Sequence, residues 1–301
     1  MEKGLHAWLG VPSSIKIYLD NGAFYFLNRH EDLPTTEYEE FVVEARPDWY
    51  PIPRDYIPAP SMSPEERRLC LTRTMAANRA YQHDGYVPVI HIGEYLHSYT
   101  TAILKNERLA RKPSIALGGI VPNLLRTRNS MAYTDILAGL RHMRPQFADK
   151  ALHVFGIGGT ATIHIAALLR FDSVDSSGWR NRAARGIVQL PGRGDRMVAD
   201  LGAWRGRKPS KEERELLEGC GCPGCAVGGI AGLAASGMTG FSQRATHNLW
   251  VLLEEAHKVD EHLAAGTYPG WYTQHVTNSV YRPIIDQLVG TRSGQAVRST
   301  C

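Results

Sequence analysis

The sequence lacks a long uninterrupted run of apolar residues. None of its stretches reaches the roughly 18 to 20 apolar residues that a membrane-spanning helix needs. Residues 1–10 also lack the apolar core of a secretory signal. The sequence therefore predicts a soluble, cytoplasmic protein without a membrane partner.

The sequence also lacks a large excess of charge of one sign. It has 34 basic and 30 acidic residues and a formal net charge of +4, which permits a polyanionic partner without requiring one. The basic residues are nevertheless concentrated between Trp179 and Lys211. That segment is either a solvated loop or a surface that contacts phosphates. The candidate nucleic-acid contacts are Arg180, Arg182 and Arg185.

Cysteine is scarce, with five residues in the chain. An odd number with three close together is unsuited to disulfide pairing and typical of metal binding. Cys220, Cys222 and Cys225 form a C-x-C-x2-C cluster, and His247 is the candidate fourth ligand, with His257 as the alternative. Four protein ligands leave no open position, so the pattern predicts a structural Zn²⁺ site. The competing interpretation is a loop with three thiols and no metal.

The sequence has no internal repeat. Short apolar runs alternate with helical stretches along the chain. This alternation predicts a parallel sheet with helical crossovers, as in a (β/α) barrel, which needs eight strands. Ser63, Pro64, Glu65 and Glu66 form a helix start signal. The six predicted strands are Ile15–Leu19, Phe41–Ala45, Val87–Ile92, Ile115–Ile120, Leu152–Ile157 and Phe171–Val174. The predicted helices are Pro64–Gln82, Glu94–Asn106, Ala132–Met143 and Ala161–Leu169, with a further helical stretch from about Gln243 to Ala264.

Carboxylates lie at the ends of predicted strands, where α/β barrels carry their chemistry. They are Asp20, Asp48, Asp172 and Asp175. A single such aspartate is commonly a cap or a turn former, whereas several on one face can divide nucleophilic and acid/base roles. The glycines of Gly118-Gly119 and Gly156-Ile157-Gly158 would let a flat ligand approach the backbone.

These segments together resemble the tRNA-guanine transglycosylase superfamily, whose members exchange a guanine in a nucleic acid for a 7-deazaguanine base. The resemblance covers nearly the whole chain, in order. Its motifs are Leu19-Asp-Asn-Gly-Ala-Phe24, Leu117-Gly-Gly-Ile120, His153-Val-Phe-Gly-Ile-Gly158, Phe171-Asp-Ser-Val174, the cysteine cluster and Thr246-His-Asn248.

The resemblance implies a role for each matching residue. Asp172 matches the nucleophile that attacks the anomeric carbon and leaves a covalent glycosyl-enzyme, and Asp20 matches the acid/base residue. Asp175 is a rival nucleophile, although residues 172 and 175 of an extended segment face opposite sides. The implied base-binding residues are Asp48, Phe24, Gly118, Gly119, Ile120, Phe155 and Gly156, with His91 standing where the family has a glutamine.

The resemblance also implies an architecture. Residues 1–205 would form the catalytic barrel, and residues 206–301 a zinc-binding helical subdomain integrated with it. Because Leu5-His-Ala-Trp-Leu-Gly10 resembles a segment well inside the family's catalytic domain, the first two strands are expected to be missing. A second copy or a partner chain would then complete the barrel, or an open edge would remain.

The resemblance leaves three functions open. The first is exchange of guanine in DNA for a preQ0-like base, as in the DNA-modifying branch of bacteria and phages. It is favoured by Val174-Asp-Ser-Ser-Gly-Trp179, by the short chain and by the missing RNA-binding module. The second is the same exchange in tRNA. The third is a non-catalytic subunit that binds nucleic acid.

Overall fold

The computed structural model describes residues 4–26, 35–124, 129–202, 205–277 and 279–298. The chain divides into two compact units, Met1–Phe155 and Gly156–Cys301. This division lies well before the boundary predicted after residue 205. Gly156, the first residue of the second unit, has a φ of 78°, a conformation that glycine adopts without strain.

The first unit contains three strands and eight helices within its described residues. The strands are β1 (Val89–His91), β2 (Ser114–Gly118) and β3 (Ala151–Val154). The helices are α1 (Gly4–Leu9), α2 (Ala23–Phe26), α3 (Thr35–Ala45), α4 (Pro64–Ala80), α5 (Leu96–Leu104), α6 (Glu107–Ala110), α7 (Ile120–Leu124) and α8 (Tyr133–Gln146).

The strands β1, β2 and β3 pair in parallel. Ile90 lies opposite Leu117, and Ile115 lies opposite Leu152. The side chains of Ile90, Ile115 and Leu117 are fully buried, as expected for short apolar strands of a sheet covered on both faces. The predicted α/β class and the parallel pairing are therefore confirmed, while the closed barrel stays a prediction.

The predicted strand at Phe41–Ala45 is wrong, because these residues end the helix α3. Val42 and Ala45 are its buried residues, and their separation of three positions places them on one helical face. The extended segment of this region follows α3 instead. In it, Trp49 forms an isolated parallel bridge with Tyr18, and Pro51 forms one with Val87. The predicted strand Ile15–Leu19 is thus represented by one bridge.

The predicted start of α4 is confirmed. The Ser63 hydroxyl accepts a hydrogen bond from the Glu66 backbone N–H at 3.2 Å, and the Glu66 carboxylate accepts one from the Ser63 N–H at 2.7 Å. This capping box satisfies two backbone donors at once. Pro64 occupies the first helical turn, where its missing N–H costs nothing.

The second unit contains three strands and eight helices within its described residues. The strands are β4 (Ser173–Val174), β5 (Ile187–Leu190) and β6 (Gly194–Met197). The helices are α9 (Thr162–Leu168), α10 (Gly178–Ala184), α11 (Lys211–Glu218), α12 (Pro223–Ala226), α13 (Gly229–Ala234), α14 (Gly237–Ala264), α15 (Tyr268–His275) and α16 (Arg282–Arg298).

The arginine-rich segment is more ordered than the loop considered from sequence. It contains α10 and the antiparallel pair β5–β6. Arg196 of β6 is buried and donates from Nε to the Glu213 carboxylate at 2.7 Å. Part of the positive charge counted in this segment is therefore neutralised inside the second unit.

The helix α14 organises the second unit through buried polar side chains. Arg244 is 1% exposed and donates to the carbonyl oxygens of Ala183, Leu233 and Ala235 at 2.7–2.8 Å. These bonds join α14 to the ends of α10 and α13, where helical carbonyl groups lack intrahelical partners. Across the described ranges of both units, no helix has the length and apolar character needed to span a bilayer.

Candidate metal centre and ligand pocket

Three thiols and one imidazole converge on one point of the second unit. The Sγ atoms of Cys220, Cys222 and Cys225 lie 3.6, 3.5 and 3.4 Å from Nδ1 of His247. Tetrahedral coordination, with bonds of about 2.3 Å to sulfur and about 2.0 Å to nitrogen, places these atoms about 3.5 Å apart. The four residues therefore form a compact group that could bind a metal ion such as zinc.

The orientation of the His247 ring fits a metal ligand. Its Nε2 lies 2.9 Å from the carbonyl oxygen of Gln189, and a carbonyl can only accept a hydrogen bond. Nε2 must therefore carry the proton, which leaves the lone pair on Nδ1 facing the thiols. Such a second hydrogen bond is how proteins fix the tautomer of a metal-binding histidine.

Asn248 holds the strand that orients His247. Its side-chain oxygen accepts from the Gln189 N–H at 2.7 Å, and its amide donates to the carbonyls of Trp179 and Ile187 at 3.1 and 3.0 Å. Asn248 is completely buried. The Thr246-His-Asn248 triplet thus contributes a ligand and the residue that positions the ligand's hydrogen-bond partner.

The thiols share one site and cannot all ionise easily without a cation. A hydrogen bond from the Cys225 thiol lowers the pKa of Cys220. Hydrogen bonding to Cys220, burial and the neighbouring thiols raise the pKa of Cys225. A metal ion removes this conflict because it stabilises several thiolates together.

Gly224 allows α14 to approach the cysteine cluster. A Cβ atom at this position would lie 2.5 Å from the Gln243 carbonyl oxygen and 2.9 Å from the His247 nitrogen. Both are backbone atoms, so relief would require α14 to move. At Gly221, between two of the cysteines, a Cβ atom would meet nothing within 4 Å.

We expect Gly224→Ala to lower the affinity for Zn²⁺ by about 10- to 100-fold, comparable to the loss of an outer-shell partner. The reason is that the added methyl group displaces His247 from the thiols. Competition with a chelating dye measures the affinity, and Gly221→Ala is the matched control that should bind like the wild type. Equal affinities of the two variants would contradict this account.

A buried carboxylate and an imidazole form a second candidate site in the first unit. Asp55 and His91 are 6% and 0% exposed, and Asp55 Oδ2 lies 3.0 Å from His91 Nε2. The other oxygen of Asp55 accepts from the Asn21 amide at 2.7 Å. Burial raises the pKa of Asp55, but the contact with His91 and the hydrogen bond from Asn21 outweigh it and hold the pKa below its usual value.

The paired glycines predicted to contact a base lie against His91. A Cβ atom at Gly118 would lie 2.9 Å from His91 Nδ1, and one at Gly119 would lie 3.4 Å from His91 Cβ. Gly119 also has a φ of 78°, which disfavours other residues. Both ring nitrogens of His91 are buried, and neither meets hydrogen-bond geometry with a described residue; the 3.0 Å approach of Nε2 to Asp55 is an ion-pair contact.

A cavity of about 670 Å³ opens beside His91. Its wall includes Tyr95, Asn123 and the ion pair of Arg67 with Glu94, whose Nε and Oε1 lie 2.7 Å apart. Such a volume is typical of sites for small molecules. The pocket therefore combines a buried imidazole with polar side chains, and the glycine in its wall is Gly93.

Asp48 lies at the opposite end of the extended segment from Asp55. Its carboxylate accepts from the Ile17 N–H at 2.8 Å, and it lies 2.8 Å from His6 Nε2 and 3.1 Å from Lys16 Nζ. The bond from Ile17, with those from His6 and Lys16, lowers the pKa of Asp48. The resemblance implies that Asp48 contacts the base, and the predicted strand at 41–45 places it at a strand end. Residues 41–45 end a helix instead, and the buried carboxylate after the extended segment is Asp55.

The remaining predicted residues of the first unit differ in burial. Asp20 is exposed, and so is Phe24, at 47%. Phe155 is half-buried against Trp49 and His153, with ring centroids 5.9 and 4.7 Å away. Ile120 is buried at the start of α7.

Asp172 and Asp175 are both exposed in the second unit. Oδ1 of Asp175 accepts a hydrogen bond from the Gly156 N–H at 2.7 Å. Asp175 thus closes the Gly156 turn, and the backbone donor of Gly156, predicted to contact a base, is bonded to Asp175. This contact gives Asp175 a structural task at the Gly156 turn.

The three predicted phosphate contacts lie on or next to α10. Arg180 and Arg185 are exposed. Arg182 donates from Nε to both carboxylate oxygens of Asp195 at 2.8 and 2.9 Å. This ion pair, in which one N–H is shared between two carboxylate oxygens, reduces the charge available to a partner.

Comparisons with protein-family models and with characterised proteins find no match to this chain. Three residues that matter for the two sites were missed from sequence: Asp55, Gln189 and Asn21. Asp55 could have been found if residues 35–45 had been assigned to a helix. Gln189 acts through its backbone carbonyl, which leaves no signal in the sequence.

Proposed function

We propose that this chain is a transglycosylase that exchanges guanine in DNA for a preQ0-like 7-deazaguanine base. The observation that carries the proposal is the compact group of Cys220, Cys222, Cys225 and His247. It has the composition and spacing of the superfamily's metal site and follows the other motifs of that superfamily in order. The exposed carboxylates of Asp20 and Asp172 and the glycines packed on His91 support it.

The proposed reaction assigns one role to each carboxylate. Asp172 attacks the anomeric carbon, and the bond to the guanine nitrogen breaks as the departing base takes a proton from Asp20. The incoming base then returns a proton to Asp20. Its nitrogen attacks the same carbon and releases Asp172, so no bond or proton is lost over the cycle.

Base recognition is proposed to involve Asp55 and His91 as well as the predicted residues other than Asp48. A buried carboxylate held ionised by Asn21 and His91 supplies the acceptor that the edge of a guanine-like base requires. A site built to pair with such groups rejects bases that lack them, since its own polar groups would remain unpaired. The target nucleotide must leave the duplex to expose its glycosidic bond.

The metal ion is proposed to be Zn²⁺ in a structural role. Four protein ligands fill a tetrahedron and leave no position for water or substrate. The Gln189 and Asn248 contacts connect the ion to the strand that follows α10. Arg180 and Arg185, at that helix, are the proposed contacts to the phosphates of the nucleic acid.

Incorporation of a radiolabelled 7-deazaguanine tests the proposal and separates its alternatives. We expect label to enter duplex or single-stranded DNA and not tRNA. Label in tRNA alone would make the chain a tRNA enzyme. No label in either, with binding of nucleic acid retained, would contradict an enzymatic function and favour a non-catalytic subunit.

We expect Asp55→Asn to raise the KM for the incoming base by about 10- to 100-fold, because it replaces an anionic acceptor by an amide. Asp48→Asn is the matched control and should change KM little. Thermal melting of both variants separates base recognition from loss of the fold. A larger effect of Asp48→Asn on KM would return base recognition to Asp48.

A further inference from the structure

A second cluster of metal-ligand side chains lies in the second unit, apart from the cysteine site. His164 of α9, Glu255 of α14 and His275 of α15 form this His–Glu–His cluster. His164 and Glu255 have fully buried side chains, and that of His275 is 16% exposed. On α14, Glu255 follows His247 by eight residues, which places their Cα atoms about 12 Å apart along the helix axis.

The geometry of the cluster is that of two nitrogen ligands around one carboxylate oxygen. Nε2 of His164 and Nε2 of His275 each lie 2.7 Å from Oε1 of Glu255. Neighbouring ligands of an octahedral ion with bonds of about 2.1 Å lie about 3 Å apart. A small outward shift of the side chains would therefore open the space that an ion needs.

The second carboxylate oxygen of Glu255 also indicates a place for a cation. Oε2 is buried and has no hydrogen-bond partner among the described residues, although a buried carboxylate oxygen without a partner is costly. A half-satisfied buried carboxylate between two imidazoles is a ready ligand for a cation.

The surroundings fix the orientation of both rings. Nδ1 of His164 lies 2.7 Å from the Tyr268 hydroxyl, which can accept a hydrogen bond from Nδ1–H. With an ion bound, the Nε2 lone pair would then face the ion, as the Gln189 carbonyl arranges for Nδ1 of His247. The Trp271 ring stacks on His275, with centroids 4.4 Å apart and an interplanar angle of 20°. Orientation by such neighbours is typical of metal-binding histidines.

We propose that the His–Glu–His cluster binds one divalent transition-metal ion. Two histidines and one carboxylate are the ligand set of octahedral sites for such ions, with positions left for water. The partly exposed His275 provides the route by which the ion enters. The ion joins α9, α14 and α15. The helix α14 also carries His247, a ligand of the cysteine site, whereas α9 and α15 carry none of its four ligands.

Metal analysis of the full-length protein loaded with excess Zn²⁺ and then desalted tests this proposal. We expect two ions per chain in the wild type, one in His275→Gln and one in Cys225→Ser. The matched control is His262→Gln, since His262 stacks on the same Trp271 at 4.3 Å but lies outside the cluster. This control should keep two ions.

Titration with Co²⁺ distinguishes the two sites by their ligands. Binding at the cysteine site gives a thiolate-to-cobalt charge-transfer band, which His275→Gln should leave unchanged while the second equivalent of Co²⁺ is lost. One ion per chain in the wild type, or two in a folded His275→Gln variant, would overturn the proposal. In the first case, the cluster is a hydrogen-bonded His–Glu–His group without metal.

Discussion

Replacing Cys225 by serine is expected to release the ion from the cysteine site and to unfold the structure around it. A structural zinc site contributes on the order of 10 kcal/mol to local folding. Cys225 also belongs to the hydrophobic cluster around this site, in which Cys222, Leu217 and Leu233 pack together with Val188 and Leu190. Without the ion, the two remaining thiols, of Cys220 and Cys222, and the imidazole of His247 would lie close together with no metal to hold them there.

Hydrogen exchange followed by mass spectrometry measures the expected effect by segment. We expect exchange to accelerate in peptides covering β5, α12 and α13, and the same pattern after chelation of the wild type. Cys70→Ser is the matched control, because Cys70 is also a buried cysteine, 3.8 Å from the Met62 sulfur in the first unit. It should keep the ion and the protection of these segments.

Two outcomes would contradict this expectation. Full protection in Cys225→Ser would mean that the hydrophobic cluster holds the segment without metal. Equal loss of metal in Cys70→Ser would mean that the ion is bound elsewhere. Either result would remove the structural role that the proposed function gives to the ion.

The candidate metal ligands could be predicted from the sequence because three of them are closely spaced cysteines. A C-x-C-x2-C cluster brings three thiols around one ion, and few other reasons exist for that pattern. The choice between His247 and His257 depended on the path of α14. In the structure, His247 is buried beside the thiols, whereas His257 is exposed.

The ligand pocket was harder to predict because one element was assigned to the wrong class. Residues 41–45 contain the β-branched residues typical of a strand. Within the longer segment 35–45, however, the buried positions follow a helical period. That error moved the end of the extended segment and drew attention to Asp48 instead of Asp55. Burial of Asp55 beside His91 results from tertiary packing, which a local pattern does not contain.

The His–Glu–His cluster was missed for a different reason. Glu255 is separated from His164 by 91 residues and from His275 by 20. None of these intervals is a recurring ligand spacing, and each residue alone is as common in a solvated helix face as in a site. Only the meeting of three helices brings them together.

Replacing Asp172 by asparagine is expected to abolish base exchange, with a loss of at least about 10⁴-fold in rate. An amide cannot form the glycosyl ester that the proposed reaction requires. The chain offers a matched control three residues later, since Asp175 is also exposed but accepts a hydrogen bond from Gly156. The oxygen of an asparagine at position 175 can accept the same bond, so Asp175→Asn should retain exchange.

A covalent adduct identifies the nucleophile directly. Wild-type protein mixed with guanine-containing DNA and quenched in acid should give a protein–DNA species that survives denaturation, and Asp172→Asn should not. Peptide mapping of the adduct should find the modification at residue 172. An adduct that persists in Asp172→Asn and disappears in Asp175→Asn would make Asp175 the nucleophile, and the Gly156 contact would then have to break during each cycle.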